Sequence, residues 1–170
     1  MAHRVEVGPK PQVFDARGER VKRQIRHAFP DIALDNVHCL DIYTIDTPEI
    51  DAGWCAEAFC DPVIQDIALD APLSCAFDWY IEVGYKPGVT DNVGHSAQYA
   101  LELISGRTIP VYSARAYLIT AAIDRGAAEN IATECLANTL IQNCRVFSPT
   151  EAAAIPPYVP KVKDLKEPAV

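Results

Sequence analysis

Residues 4–18 read RVEVGPKPQVFDARG, and residues 80–94 read YIEVGYKPGVTDNVG. Aligned at an offset of 76, Glu6, Val7, Gly8, Lys10, Pro11, Val13, Asp15 and Gly18 meet identical residues at Glu82, Val83, Gly84, Lys86, Pro87, Val89, Asp91 and Gly94. Further along, Tyr43 and Ile45 match Tyr117 and Ile119 at an offset of 74, and Ile64-Gln65 match Ile141-Gln142 at 77. Offsets that drift by two or three residues are what loop insertions between retained elements leave behind. The chain uses one unit twice, and that repeat organises everything else.

Each copy reads strand, helix, strand, helix, strand. Trp79, Ile81, Val83 and Tyr85 alternate with Tyr80, Glu82, Gly84 and Lys86, the period of two expected of a half-buried strand. Pro87-Gly88 breaks the ladder, because proline lacks an N–H and glycine tolerates unusual dihedrals. Asp91 and Asp15 are good N-caps for the helices that follow. An apolar stripe of Val93, Ala97, Ala100, Leu101 and Ile104 marks the buried side of one helix, and Val21, Ile25, Ala28 and Phe29 that of the other. Second strands are expected at 37–45 and 111–120, second helices at 49–60 and 124–137, and third strands at 63–69 and 140–147. In the later second helix Ile131, Cys135 and Leu136 should face inward. The fold class is α+β: βαβαβ repeats over 1–74 and 75–150, joined by a connector at 71–78 and packed as an internal pseudo-dimer with paired sheets. A third segment, 151–170, carries Pro156, Pro157, Pro160, Lys161, Lys163, Lys166 and Pro168, and reads as an extended tail or linker.

The chain has 170 residues, 49% hydrophobic and 22% charged, which excludes disordered and collagen-like readings. Its 15 Lys and Arg against 23 Asp and Glu give a net charge of −8, the wrong sign for a nucleic-acid binder. The distribution is uneven. Arg17, Arg20, Lys22, Arg23 and Arg26 crowd together, after which no Lys or Arg occurs until Lys86 and twelve acidic residues intervene. The plain reading is a solvated basic helix beside an acidic surface; the functional one is a partner face on Arg17, Arg20, Arg23 and Arg26. No apolar run approaches the roughly 20 residues of a membrane helix, and no apolar leader follows Met1, so a cytoplasmic location is expected.

Catalytic groupings are hard to find. Cysteines 39, 55, 60, 75, 135 and 144 include no CxxC, and histidines 3, 27, 38 and 95 have no zinc-like spacing, so no metal site is expected. His38 and Cys39 are neighbours in a strand and point to opposite faces, which rules out a nucleophile–base pair. Cys135 and Cys144 read as small core residues. The loop from Gly88 to Gly94 opens a helix but lacks the signatures of phosphate-binding loops, and Asp91 would repel an anion there. Lys10 and Lys86 read as solubilising strand ends, Glu6 and Glu82 as residues reaching solvent or the neighbouring copy, and Tyr43 and Tyr117 as amphipathic strand residues. A small enzyme using Cys75 or Tyr80 at the repeat junction is the weakest alternative; a duplicated small-molecule-sensing regulatory domain is a stronger one.

The same residues carry a resemblance. Residues 82–94, EVGYKPGVTDNVG, resemble the strand-to-helix opening of the PurS family, the small subunit of phosphoribosylformylglycinamidine synthase. Residues 136–143, LANTLIQN, resemble that family's passage from its second helix into its last strand, and weaker forms stand at 10–18 and 59–65. Asn92 and Ala16 stand where the family commonly has proline. On this resemblance Lys10, Pro11, Asp15, Gly18, Lys86, Pro87, Asp91, Gly94, Asn138 and Gln142 are motif residues, structural or in contact with partners. The resemblance implies a scaffold with no catalysis of its own and no cofactor in this chain. It would join the large synthetase subunit to the glutaminase subunit and support ammonia transfer, with ATP, Mg and glutamine used by those partners in purine biosynthesis. Tandem PurS-like segments also resemble the start of some long bacterial synthetase chains, with residues 159–163, VPKVK, like the junction to the catalytic region.

Overall fold

In a computed structural model, which describes residues 1–160, strand β2 (Leu34–Ile45) lies antiparallel to β5 (Val111–Ala121) at the centre of the molecule. Strands β1 (His3–Pro9) and β3 (Gln65–Leu69) extend the sheet on one side, and β4 (Trp79–Tyr85) and β6 (Gln142–Phe147) on the other. The order is β3-β1-β2-β5-β4-β6, with every neighbouring pair antiparallel. Helices α1 (Ala16–Ala28) and α2 (Ala52–Phe59) belong to the first half, and α3 (Asn92–Ser105) and α4 (Arg125–Ile131) to the second. Helix α4 runs on into a π-helical turn, Ala132–Leu136, and a one-turn helix α5 (Pro149–Ala152) follows β6.

The halves repeat each other in register as well as in sequence. Val5 faces Tyr43 and Leu69, while Ile81, 76 residues on, faces Tyr117 and Val146. Glu6 faces Ile42 and Ala68; Glu82 faces Ala116 and Arg145. Along the central ladder Val37 pairs with Ile119 and Ile45 with Val111, so corresponding residues exchange places about the middle. At that middle Asp41 faces Arg115, its own counterpart. Such mutual exchange is the mark of a two-fold contact. The two three-stranded halves share one continuous sheet.

Period-two alternation divides the sheet into two faces. Val5, Val7, Val37, Cys39, Ile45, Ile81, Val83, Tyr117 and Ile119 point toward the helices and form two clusters. One is closed by Val21 and Ile25 of α1 with Ile131 and Ala132; the other by Cys55 of α2 with Ala97 and Leu101 of α3. The helix pairs therefore cross between halves, α2 lying on α3 and α1 against the π-helical turn. The sequence stripe is off at two positions. Val93 is 51% exposed and Ala28 is exposed, whereas Gly94 is buried. Helix α3 turns its glycine rather than its valine toward the sheet.

On the opposite face Leu40, Ile42, Tyr80, Ala116 and Leu118 are buried beneath two segments of the same chain. The connector at 71–78 lays Leu73, Cys75 and Phe77 over the face, and residues after β6 lay Ala152 and Ile155 there. Residues 148–160 thus begin as a short helix and continue as a strap that lies on the sheet. Arg145 Nη1 donates to the Pro156 carbonyl oxygen (3.1 Å), and Arg125 pairs with Glu151. Lys161, Lys163, Lys166 and Pro168 of the expected tail lie outside the described residues. Three element starts also move inward from the sequence reading: α2 begins at Ala52, β3 at Gln65 and β6 at Gln142.

Candidate functional site

Most of the motif residues build corners. Asp15 Oδ1 accepts from Gly18 N (2.8 Å), capping α1, while Oδ2 accepts from Cys39 N in β2 (2.9 Å). Asp91 does the same for α3, accepting from Gly94 N (2.7 Å) and Ser113 N (2.6 Å). One carboxylate thereby satisfies a helix N-terminus and a strand N–H that the departing first strand leaves free. The glycines permit this approach. A Cβ on Gly18 would sit inside van der Waals contact of the Val37 carbonyl oxygen, and one on Gly94 would lie 2.8 Å from that of Val111.

The remaining motif residues tie the adjoining turns. Lys10 N donates to Ile64 O and Lys86 N to Ile141 O, both at 2.9 Å, just ahead of Pro11 and Pro87. Gln142 Oε1 accepts from Asn138 N (2.9 Å) and Asn138 Oδ1 from Leu140 N (3.2 Å). The first half repeats the arrangement with Gln65 on Asp61 N and Asp61 on Val63 N. The Lys10 ammonium lies 3.5 Å from Asp66. These turns expose apolar side chains at corresponding places: Val63 is 78% and Leu140 84% exposed.

Glu6 and Glu82, expected to reach solvent or the other copy, are buried, and they meet across the halves. Arg4 Nη2 donates to Tyr80 Oη (2.6 Å), which donates to Glu6 Oε1 (2.8 Å). Arg4 Nη1 lies 2.6 Å from Glu82 Oε2, and Glu82 Oε1 accepts from Arg145 Nη2 (2.8 Å). Leu73 N closes the group by donating to Glu6 Oε2 (2.9 Å). Burial alone would lower the Arg4 pKa, but the charges of Glu82 and Glu6 outweigh it and raise it. Burial pushes the Tyr80 hydroxyl far up, so it stays protonated. Sequence reasoning missed this network. Its one sign was a pair of identical glutamates at corresponding places, each flanked by apolar residues.

The six cysteines are all shifted away from thiolate chemistry. Burial raises the thiol of Cys39 to about 12 and that of Cys55 to about 11, and it also raises Cys60, Cys75, Cys135 and Cys144. A reactive thiol needs the opposite shift. Among the described residues no cluster of three metal-ligating side chains occurs, and no helix is long and apolar enough to cross a membrane.

The four arginines of the basic helix do not act together. Arg17 is bound to Asp41 by two hydrogen bonds of 2.9 and 3.0 Å, and Arg26 Nη2 donates to the Leu34 carbonyl oxygen (2.7 Å). Arg20 and Arg23 are exposed and make no ion pair among the described residues. The outward face of α1 is therefore Arg20, Arg23 and His27. Its counterpart on α3 is Ser96, Tyr99 and Leu103, with Tyr99 63% and Leu103 68% exposed. Two corresponding helix faces have opposite chemistry, one cationic and one apolar. Compared with protein-family models and with curated proteins, the chain matches none.

Proposed function

We propose that this chain is a fused pair of PurS-like units serving as a non-catalytic scaffold of phosphoribosylformylglycinamidine synthase, either as a separate subunit or as the N-terminal segment of a longer synthetase. In this reading it holds the ATP-dependent synthetase and the glutaminase together in the cytoplasm and supports ammonia transfer between them, while ATP, Mg and glutamine bind to the partners. The observation that carries the reading is the divergence of the corresponding faces of α1 and α3 on a framework of matched register. A symmetric dimer presents one surface twice. A fused pair can offer Arg20 and Arg23 to an acidic partner and Tyr99 and Leu103 to an apolar one, which is what joining two different proteins requires. The motif residues fit such a role as corner-builders, and the raised thiols fit a chain whose chemistry is done elsewhere.

The test mixes the full chain with the large synthetase and glutaminase subunits of the same source, with glutamine and ADP present. Mass is read by light scattering, and glutamine-dependent turnover is compared with ammonia-dependent turnover. The expected result is a ternary complex and glutamine-dependent turnover only when the chain is added. Arg20→Glu with Arg23→Glu should weaken one contact, and Tyr99→Ser with Leu103→Ser the other. No complex and no change of rate would overturn the proposal. A second reading, a regulatory domain that senses a small molecule between its halves, is favoured by one observation: an open cleft beside Arg115.

A further inference from the structure

The halves differ most where they meet on the helical face. In the first half Arg17 reaches from α1 to Asp41, and Phe59 of α2 stacks on Tyr43 with ring centroids 4.5 Å apart and planes 15° from parallel. The corresponding residues of the second half are Val93 with Arg115, and Leu136 with Tyr117. Valine is too short and apolar to pair with an arginine, and leucine has no ring to stack. The volume filled in the first half is therefore open in the second, as a cleft of about 240 Å³.

The cleft holds one carboxylate that is engaged, Asp41, and one guanidinium with no ion pair among the described residues, Arg115. Its polar lining is Asp41, Tyr43, Tyr85, Ser113, Arg115, Tyr117 and Gln142. The Asp41 carboxylate is held by Arg17 through both oxygens. Gln142 Oε1 accepts from Asn138 N, which leaves its NH2 group. Asp91 accepts from Gly94 N, from Ser113 N and from the Ser113 hydroxyl (2.6 Å). Burial raises the pKa values of Tyr43 and Tyr117, so both phenols keep their protons at neutral pH. Arg115 is exposed at the cleft and has no carboxylate within ion-pair distance among the described residues. What remains is a guanidinium and an amide NH2, which only donate, and phenolic groups that donate or accept, beside apolar walls of Val83, Val93 and Leu136.

We propose that this cleft binds a small monocarboxylate, its carboxylate on Arg115 and its apolar body against Val83, Val93 and Leu136. Arginine matches a carboxylate with paired donors, and the site has more donors than free acceptors. The site stands independently of the scaffold reading, because it uses neither Arg20 and Arg23 nor Tyr99 and Leu103.

The test titrates the full chain with acetate, butyrate, benzoate, glycine and inorganic phosphate, followed by calorimetry and by amide and side-chain NMR shifts of Tyr117 and Gln142. Butyrate or benzoate should bind more tightly than acetate, and glycine, which has no apolar body, no more tightly than acetate. Arg115→Met should weaken binding by about tenfold or more, the loss expected for a charge-assisted contact. Val93→Glu supplies an internal carboxylate to Arg115, and Leu136→Phe restores the missing ring. Each should close the cleft and abolish binding, with circular dichroism and the melting transition reporting an intact fold. Val93 is half exposed at the start of a helix, where glutamate is tolerated, so this variant still speaks if Arg115→Met fails to fold. Undiminished binding in Val93→Glu, no saturable binding of any carboxylate, or a preference for phosphate would each overturn the proposal.

Discussion

Arg4 is a single side chain that reaches from the first strand across two others to a glutamate of the opposite half. Removing it leaves Glu6 and Glu82 buried without their shared cation. Arg4→Met should therefore cost about 3–5 kcal/mol in denaturant unfolding, the range for breaking a buried pair from one side; a loss below 1 kcal/mol would mean that water already reaches the carboxylates. Gly94→Ala acts through contact instead. Its new methyl group meets the backbone of Val111, and about 1–3 kcal/mol should be lost, as for other overpacked sites. His3 supplies a pH signature. Its hydrogen bond to Asp70 (2.6 Å) raises its pKa above 6.5, with burial opposing. A raised folded-state value gives stability that is fully present below 6.5 and is lost as pH rises through the folded value. The unfolding midpoint should decline over that interval, and His3→Gln should flatten the decline. At this scale the capping aspartates were legible, because a cap is a local arrangement written within four residues. The partners of Arg4 were not, because Tyr80 and Glu82 lie 76 and 78 residues away.

Strands and helices were legible in type and order because alternation and apolar stripes are properties of short windows. What escaped was what covers each face. The stripe on α3 placed Val93 inward, but the need to bring Gly94 against the Val111 carbonyl turns the helix enough to expose it. The glutamate face of the sheet reads as solvent-facing until the connector and strap are laid on it, and nothing in a strand announces a cover contributed by a distant segment. The strap's contribution can be measured. Ile155 is 9% exposed and lies in a cluster with Ile42, Tyr80 and Leu118, so Ile155→Ala should cost about 2–3 kcal/mol as a cavity-forming truncation. An unchanged midpoint would show that the strap rests on the sheet without stabilising it. The basic helix was legible as a charge cluster, but that two of its four arginines are held internally depends on β2, which sequence spacing does not position.

At the level of the molecule, one face of the sheet is covered by segments of the chain between and after the strands, and the other by the helices. The connector and strap cover much of the face opposite the helices, leaving a cavity of about 380 Å³ beside Arg4 and Glu6, and the helical face carries the cationic patch, the apolar patch and the cleft. The repeated stretches fall on corresponding strands, β1 and β4, whereas the differences between them were visible only after the residues had been placed on the two faces. The middle of the central ladder carries a consequence for a chain severed in the connector. Two identical first halves would oppose Asp41 to Asp41, and two identical second halves Arg115 to Arg115, like charges set face to face in a strand pair. Only the unlike combination places acid against base. Co-expressed fragments 1–74 and 75–170 should therefore recover each other in preference to pairing with themselves, a lock and its key cut from one polypeptide, and exchanging both charges to Ala should erase that discrimination in native mass spectrometry.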